Sequence, residues 1–205
     1  MDIPPELTEK AKNVELCIDT MFVNEIPFLA TVSRRLQYRT ITPLQNQSMA
    51  VYRSALDQVL RAYNARGFRI TTIYCDNKYK ALFEPIRDEL DIEMNYASAH
   101  EHVPEAERNN RVIKERIRAT FHRLPYKALP KVMMEVLAME STKKLNYFPP
   151  KNGLSPYYSP HSIVNGTQID YNKHCSIPFG TYCQAHDENN PKNSQLPRTI
   201  DTIYL

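Results

Sequence analysis

No apolar run in this chain approaches the roughly 18 residues that span a bilayer, and Met1 is followed by DIPPELTEK rather than by a basic segment leading into an apolar one. The expectation is a chain addressed neither to a membrane nor to secretion. CxxC pairs are also lacking. Cys17, Cys75, Cys175 and Cys183 are isolated, and the first two fall in predicted strands, where cysteine behaves as a small hydrophobe. Four reduced thiols in an intracellular protein are expected. A zinc finger is excluded on spacing: His100 and His102 lie close together, but no cysteine pair accompanies them. There are no internal repeats of about 20 to 50 residues. The net charge of +3 is too small by itself to argue for a nucleic-acid partner. Sequons at Asn46 and Asn165 are idle in a cytosolic reading.

What is present is enough for one substantial core, since 42% of the 205 residues are apolar. Three β-rich runs, VELCIDTMFV, IPFLATVS and QYRTITPL, follow one another through short linkers, which predicts three consecutive antiparallel strands. Ser48 is placed to cap a helix from about Met49 to Ala65. In it Val51, Ala55, Leu56, Val59, Leu60 and Tyr63 repeat at helical spacing, and Gly67 ends it. A strand at Phe68 to Cys75, a helix at Tyr79 to Leu90, a short strand at Ile92 to Ala97, and helices at Pro104 to His122 and Leu129 to Lys144 complete the order βββαβαβαα. Beyond Asn146 the composition turns to Pro, Tyr, Ser and Asn, so YFPPKNGLSPYYSPHSIVNG reads as a linker or irregular extension rather than core. A short β-rich piece, SIPFGTYCQAH, follows, and DENNPKNSQLPR reads as a flexible loop. The expected division is a core over 13–145 and an extension over 146–205.

Three acids stand in unusual settings. Asp19 lies inside VELCIDTMFV, Asp76 ends FRITTIYCD, and Glu107 opens the helical stretch PEAERNNRVIKERIRATF. An ionised carboxylate in a strand interior is costly unless a positive group meets it, and a divalent metal suits two or three such groups. With the first strand central and the fourth beside it, Asp19 and Asp76 face each other, and a helix packed on the sheet brings Glu107 to the same edge. That is the arrangement two-metal phosphoryl transfer requires, with Mg²⁺ or Mn²⁺ preferred by hard oxygen ligands.

The charge near Glu107 points the same way. From Arg108 to Lys131 eight basic residues face the single acid Glu115. Glu107, Arg111, Lys114 and Arg118 share one helical face, while Ile113, Ile117 and Phe121 form a separate apolar stripe. Such a cationic face suits salt-sensitive, largely sequence-independent DNA binding, whereas its bland counterpart is a solvated helix face. Blander readings exist for other residues too. Asp76 with Asn77 is a common turn pair, Glu105 suits a helix N-terminus, and Glu101 and Glu105 compete with Glu107 for the third acidic place. His122 and Tyr126 suit packing or solvent. Tyr147, Tyr157 and Tyr158 suit anchoring of an irregular segment better than stacking on bases.

The order of Asp in the first strand, Asp after the fourth and Glu in a basic helix resembles the D,D,E catalytic core of retroviral and retrotransposon integrases. The segment PEAERNNRVIKERIR is similar to the corresponding helix of copia-type LTR retrotransposon integrases, and LNYFPPKNGLSPYYSPHSIVNG resembles that family's segment after the core. The resemblance covers roughly residues 13 to 185. It implies an α/β, RNase H-like fold with a mixed five-stranded sheet. It further implies a polynucleotidyl transferase that processes and joins DNA ends with Mg²⁺ or Mn²⁺, using Asp19, Asp76 and Glu107 as catalytic metal ligands. Arg108, Arg111, Lys114 and Arg118 become the DNA-binding residues. DNA and a second copy of the chain are the implied partners. The implied setting is a core fragment of a larger polyprotein that reaches the host nucleus by way of a cytoplasmic virus-like particle.

The chain departs from the family in two places. Asp76 is followed by Asn77-Lys78-Tyr79-Lys80 where many members have Asn and two glycines, and the interval from Asp76 to Glu107 is shorter than usual. The rival readings are a DNA-binding remnant that has lost activity and another RNase H-like nuclease.

Overall fold

The structure, a computed structural model, describes residues 3–84, 87–98, 103–186 and 197–205. His100, Glu101, His102 and most of the polar loop after His186 lie outside the described residues. A short helix α1 (Pro5–Lys10) leads into β1 (Asn13–Val23), which turns through Asn24 and Glu25 into β2 (Ile26–Ser33). Both turn residues have positive φ, 46° and 66°, the twist-compatible geometry of a two-residue hairpin. β3 (Arg39–Pro43) pairs antiparallel with β2, and after α2 (Met49–Asn64) the strand β4 (Arg69–Cys75) pairs parallel with β1. Two short helices, α3 (Lys80–Phe83) and α4 (Arg87–Leu90), precede β5 (Glu93–Tyr96), which pairs parallel with β4. The sheet order β3-β2-β1-β4-β5 puts β1 at the centre. This is the mixed five-stranded α/β sheet expected.

Two long helices, α5 (Pro104–Phe121) and α6 (Lys131–Leu145), cover one face of the sheet. There Ile113 and Ile117 of α5 and Met134, Leu137 and Ala138 of α6 meet Met21, Phe28 and Ala30. On the other face Tyr52, Leu56, Val59 and Tyr63 of α2 meet Leu16, Ile18, Leu29, Ile70 and Ile73. The period-two alternation of a strand therefore sends Cys17, Asp19 and Met21 of β1 toward α5 and sends Leu16, Ile18 and Thr20 toward α2.

Several local features differ from expectation. Where a single helix is expected over Tyr79 to Leu90, the described residues form a 3-10 turn (Asn77–Tyr79) followed by α3 and α4, and residues 85–86 lie outside the described residues. Ser48 occupies the N-cap of α2 but makes no side-chain cap hydrogen bond. Its own N–H donates to Asn46 Oδ1 at 2.9 Å. The segment after Asn146 is not merely an extension. It forms α7 (Pro160–Asn165), capped by Ser159 accepting from the Ser162 N–H and closed by Gly166 at φ 69°. Ile163 and Val164 of α7 belong to the α2-side core. An apolar pair of that length, set among Pro, Ser and Tyr, carries too little periodicity to read as a helix. Beyond α8 (Tyr171–His174), β6 (Tyr182–His186) pairs antiparallel with β7 (Thr199–Ile203). Phe179 packs into the α5–α6 side of the core.

Candidate active site

The register of β1 on β4 places the two aspartates. The last paired residues are Cys17 and Tyr74, and Asp19 and Asp76 each lie two residues beyond, past a bulge between Val14 and Glu15 that sets the alignment. Both carboxylates are mostly buried, with side-chain exposures of 19% and 20%, so each needs a partner there. A positive group supplies it. Lys78 Nζ donates to Asp19 Oδ1 at 2.8 Å and lies 3.7 Å from Asp76 Oδ2. Burial alone would lower the Lys78 pKa, but the Asp19 hydrogen bond and the charges of Asp19 and Asp76 outweigh it and raise it. Asp76 also opens the 3-10 turn, as its N-cap and through its carbonyl, which accepts from the Tyr79 N–H at 3.0 Å, but its side chain makes no capping hydrogen bond there.

Asp19 is held from three further directions. Asn110 Nδ2 on α5 donates to Oδ2 at 2.9 Å, the Thr20 N–H donates to Oδ1 at 2.7 Å, and Tyr79 OH approaches Oδ1 at 3.5 Å. Tyr79 is fully buried. Its hydroxyl lies 2.6 Å from Thr20 Oγ1, which also meets Tyr52 OH at 2.7 Å, and its ring stacks on Phe83. Tyr79 therefore anchors the segment that follows Asp76. Lys78 is held next to that anchor.

Glu107 stands one helical turn before Asn110 without joining the two aspartates in a three-ligand group among the described residues. It is exposed, and its carboxylate makes no hydrogen bond or ion pair among the described residues. It borders a shallow hollow of about 450 Å³ together with Asn110, Arg111, Lys114, Glu115 and Arg118. Three of the four expected DNA-binding cations thus share a surface with Glu107. Arg108 instead borders a smaller pocket with Arg34 and Glu105. Glu105 pairs with Arg34 at 3.0 Å, a definite partner rather than a dipole interaction alone. Among the described residues no group of three or more His, Cys, Asp or Glu side chains is placed to hold one metal ion. Asp19 and Asp76 come together, and the third acid remains outside.

A cavity of about 620 Å³ lies on the far side of α5. It is bordered by Arg116, Arg123 and Lys144 and by none of the three acids. Tyr147 is buried and Tyr158 packs on the core, as anchoring predicts, while Tyr157 is exposed.

Two residues of the site escaped the sequence reading. Lys78 had a signal, since it stands directly after Asp76-Asn77, where the sequence departs from the pattern it resembles. Asn110 had only its place one helical turn beyond Glu107, on a neighbouring face.

No protein-family model matches the chain, and no curated protein matches it in sequence. Solved structures do. The catalytic core domain of BIV integrase superposes with a TM-score of 0.53 at 16% identity, over 74% of this chain and 93% of that one. The HTLV-2 integrase catalytic core domain in complex with magnesium, in its dimeric form, gives 0.52 at 14% identity over 77% and 97%. Its trimeric form gives 0.53 at 13% over 75% and 95%. At these identities the likeness establishes the fold: the chain has the architecture of an integrase catalytic core.

Proposed function

We propose that the chain is the catalytic core of a copia-type retrotransposon integrase, a polynucleotidyl transferase that processes DNA 3′ ends and joins them to a second DNA. The observation that carries this reading is the meeting of Asp19 on β1 with Asp76 just past the end of the adjacent parallel β4, beside a cationic α5 face, in the fold of integrase cores.

The donor set fits a hard divalent cation. Asp19 and Asp76 offer carboxylate oxygens in a partly buried site, and beside them the buried Asn110 Oδ1 has no hydrogen-bond partner among the described residues. Asp19 and Asp76 would hold the ion, and Glu107 joins them only if its side chain turns inward from the surface. When bound, Mg²⁺ or Mn²⁺ supplies the charge that activates an attacking oxygen and stabilises a leaving oxygen in an in-line displacement at phosphorus. The chain's own residues do the rest. Arg111, Lys114 and Arg118 hold the phosphate backbone along α5, and Asn110 fixes the orientation of the Asp19 carboxylate. Water or a DNA 3′-hydroxyl is the nucleophile, so no covalent protein intermediate forms. Assembly into a dimer or larger oligomer belongs to the same proposal, supported by the dimeric and trimeric forms of the HTLV-2 core.

A second reading, a DNA-binding module of the same fold without activity, is favoured by the Lys78 ammonium on the aspartates and by the exposure of Glu107. Nicking and strand transfer on a labelled duplex with Mg²⁺ or Mn²⁺ separate the two. The integrase reading expects joined product from the parent and its loss, with fold and DNA binding kept, in Asp19→Asn, Asp76→Asn and Glu107→Gln. A folded parent that binds DNA and yields neither nicked nor joined product establishes the binding module instead.

A further inference from the structure

Lys78 is placed too specifically to be an ordinary surface lysine. Tyr79, the next residue, is buried and tied to Thr20 and Asp19 through its hydroxyl. The Tyr79 N–H closes the turn onto the Asp76 carbonyl at 3.0 Å. The backbone of Lys78 is thereby fixed within reach of both carboxylates, although the side chain itself is half exposed. Its ammonium takes one oxygen of Asp19, while the other accepts from Asn110.

We infer that Lys78 is the resident counter-ion of the Asp19–Asp76 site, and that a divalent metal binds there only by displacing its ammonium from the carboxylate oxygens. The inference rests on the metal-binding half of the function proposed above and is independent of catalysis.

The physical basis is competition for the same oxygens. Two carboxylates meeting in a partly buried site repel each other, and a cation between them relieves that repulsion. An ammonium on a four-carbon stem does this with a compact, directional charge, and it needs no ion from solution. A metal that coordinates Asp19 Oδ1 takes the acceptor of the Lys78 hydrogen bond, and two cations cannot share that oxygen without repulsion. The apparent metal affinity is then reduced by the fraction of molecules in which Lys78 has withdrawn. The withdrawn ammonium has open solvent to enter, where the phosphodiester of bound DNA is a ready alternative partner. Many members of the family that this sequence resembles have two glycines where Lys78 and Tyr79 stand, and glycine carries no such charge. The competition belongs to this sequence rather than to the fold.

Mn²⁺ binding, followed by the electron paramagnetic resonance signal of the free ion at fixed neutral pH and without DNA, reads this directly on the full chain. Lys78→Met keeps the length of the stem and removes the charge, Lys78→Gln repeats the test with a polar end, and Lys78→Arg keeps a cation. If Lys78 holds the site in about nine molecules of ten, Lys78→Met and Lys78→Gln bind Mn²⁺ roughly tenfold more tightly than the parent. Lys78→Arg stays near the parent value, and Asp19→Asn added to Lys78→Met abolishes the gain. Affinities of Lys78→Met and Lys78→Gln within twofold of the parent overturn the inference. So does the absence of saturable Mn²⁺ binding in the parent and both variants. A gain in affinity without nicking by any variant keeps the Lys78 assignment and removes the enzyme. Nicking by the parent, with Mn²⁺ affinity insensitive to Lys78, does the reverse.

Discussion

Asp19 and Cys17 sit two residues apart on one face of β1, and their surroundings treat them oppositely. Asp19 accepts from Lys78, Asn110 and the Thr20 N–H, so its oxygens are met by donors. Cys17 is fully buried against Val32, Val103 and Ala106, and burial pushes its thiol from 9.0 up to about 11. Burial likewise raises Cys75 to about 12. Thiols held this far up are poor nucleophiles. At pH 8 the folded chain should react with a disulfide reagent at the half-buried Cys175 and Cys183, and at Cys17 and Cys75 only after unfolding. Counting modified cysteines by mass spectrometry before and after denaturant checks this. The linkage follows the same direction. A pKa raised in the folded state contributes stability that is fully present below the unfolded value near 9.0. That stability is lost as pH rises through about 11 for Cys17 and about 12 for Cys75. Thermal unfolding midpoints should therefore fall on the alkaline side of pH 9, and less so in Cys17→Ala if the substitution itself folds.

Helix α5 divides its labour by face. Ala106, Asn109, Ile113 and Ile117 are buried, and the apolar part of that stripe was legible from spacing alone. Asn109 and Asn110 were not, because an amide has no preferred side in a hydrophobicity pattern. Only packing sends Asn109 Nδ2 toward the Thr31 carbonyl at 3.5 Å and Asn110 to Asp19. The cationic face carries a prediction of its own. Arg111→Gln, Lys114→Gln and Arg118→Gln should weaken duplex binding for all sequences alike. Each should reduce the slope of log affinity against log salt by about 0.9 if its side chain meets a phosphate. Arg116→Gln, on the cavity at the far side of the helix, should leave that slope unchanged. Fluorescence anisotropy titrations at a series of salt concentrations measure both.

Across the whole molecule, part of the segment after α6, Asn146 and α7 above all, belongs to the packed core. The Asn146 side chain lies against the edge strand β3, accepting from the Arg39 N–H and donating to the Arg39 carbonyl, both at 2.8 Å. It thereby satisfies backbone groups that an edge strand leaves open. Ile163 is 2% exposed within the α2-side core, so Ile163→Ala should cost about 2–5 kcal/mol in a urea unfolding transition. A cost near zero would mean that the core over 13–145 stands without α7. Nothing in the local sequence announces these contacts. They join positions more than a hundred residues apart, and the Pro- and Tyr-rich composition around them resembles that of a linker.

The sequence by itself determined the five core strands and the three long helices in their order, the apolar stripes, the three conspicuous acids and the basic run after Glu107. Each of these is encoded by neighbours in the chain, through spacing, propensity and local charge. Tertiary structure alone decided which of those acids meet. The β1–β4 register, with its bulge, put Asp76 beside Asp19. The anchoring of Tyr79 delivered Lys78 to both, and the rotation of α5 on the sheet turned Asn110 inward and left Glu107 at the surface. Those outcomes depend on how separate elements are aligned and rotated against one another, which is a property of the packed core and not of any one segment.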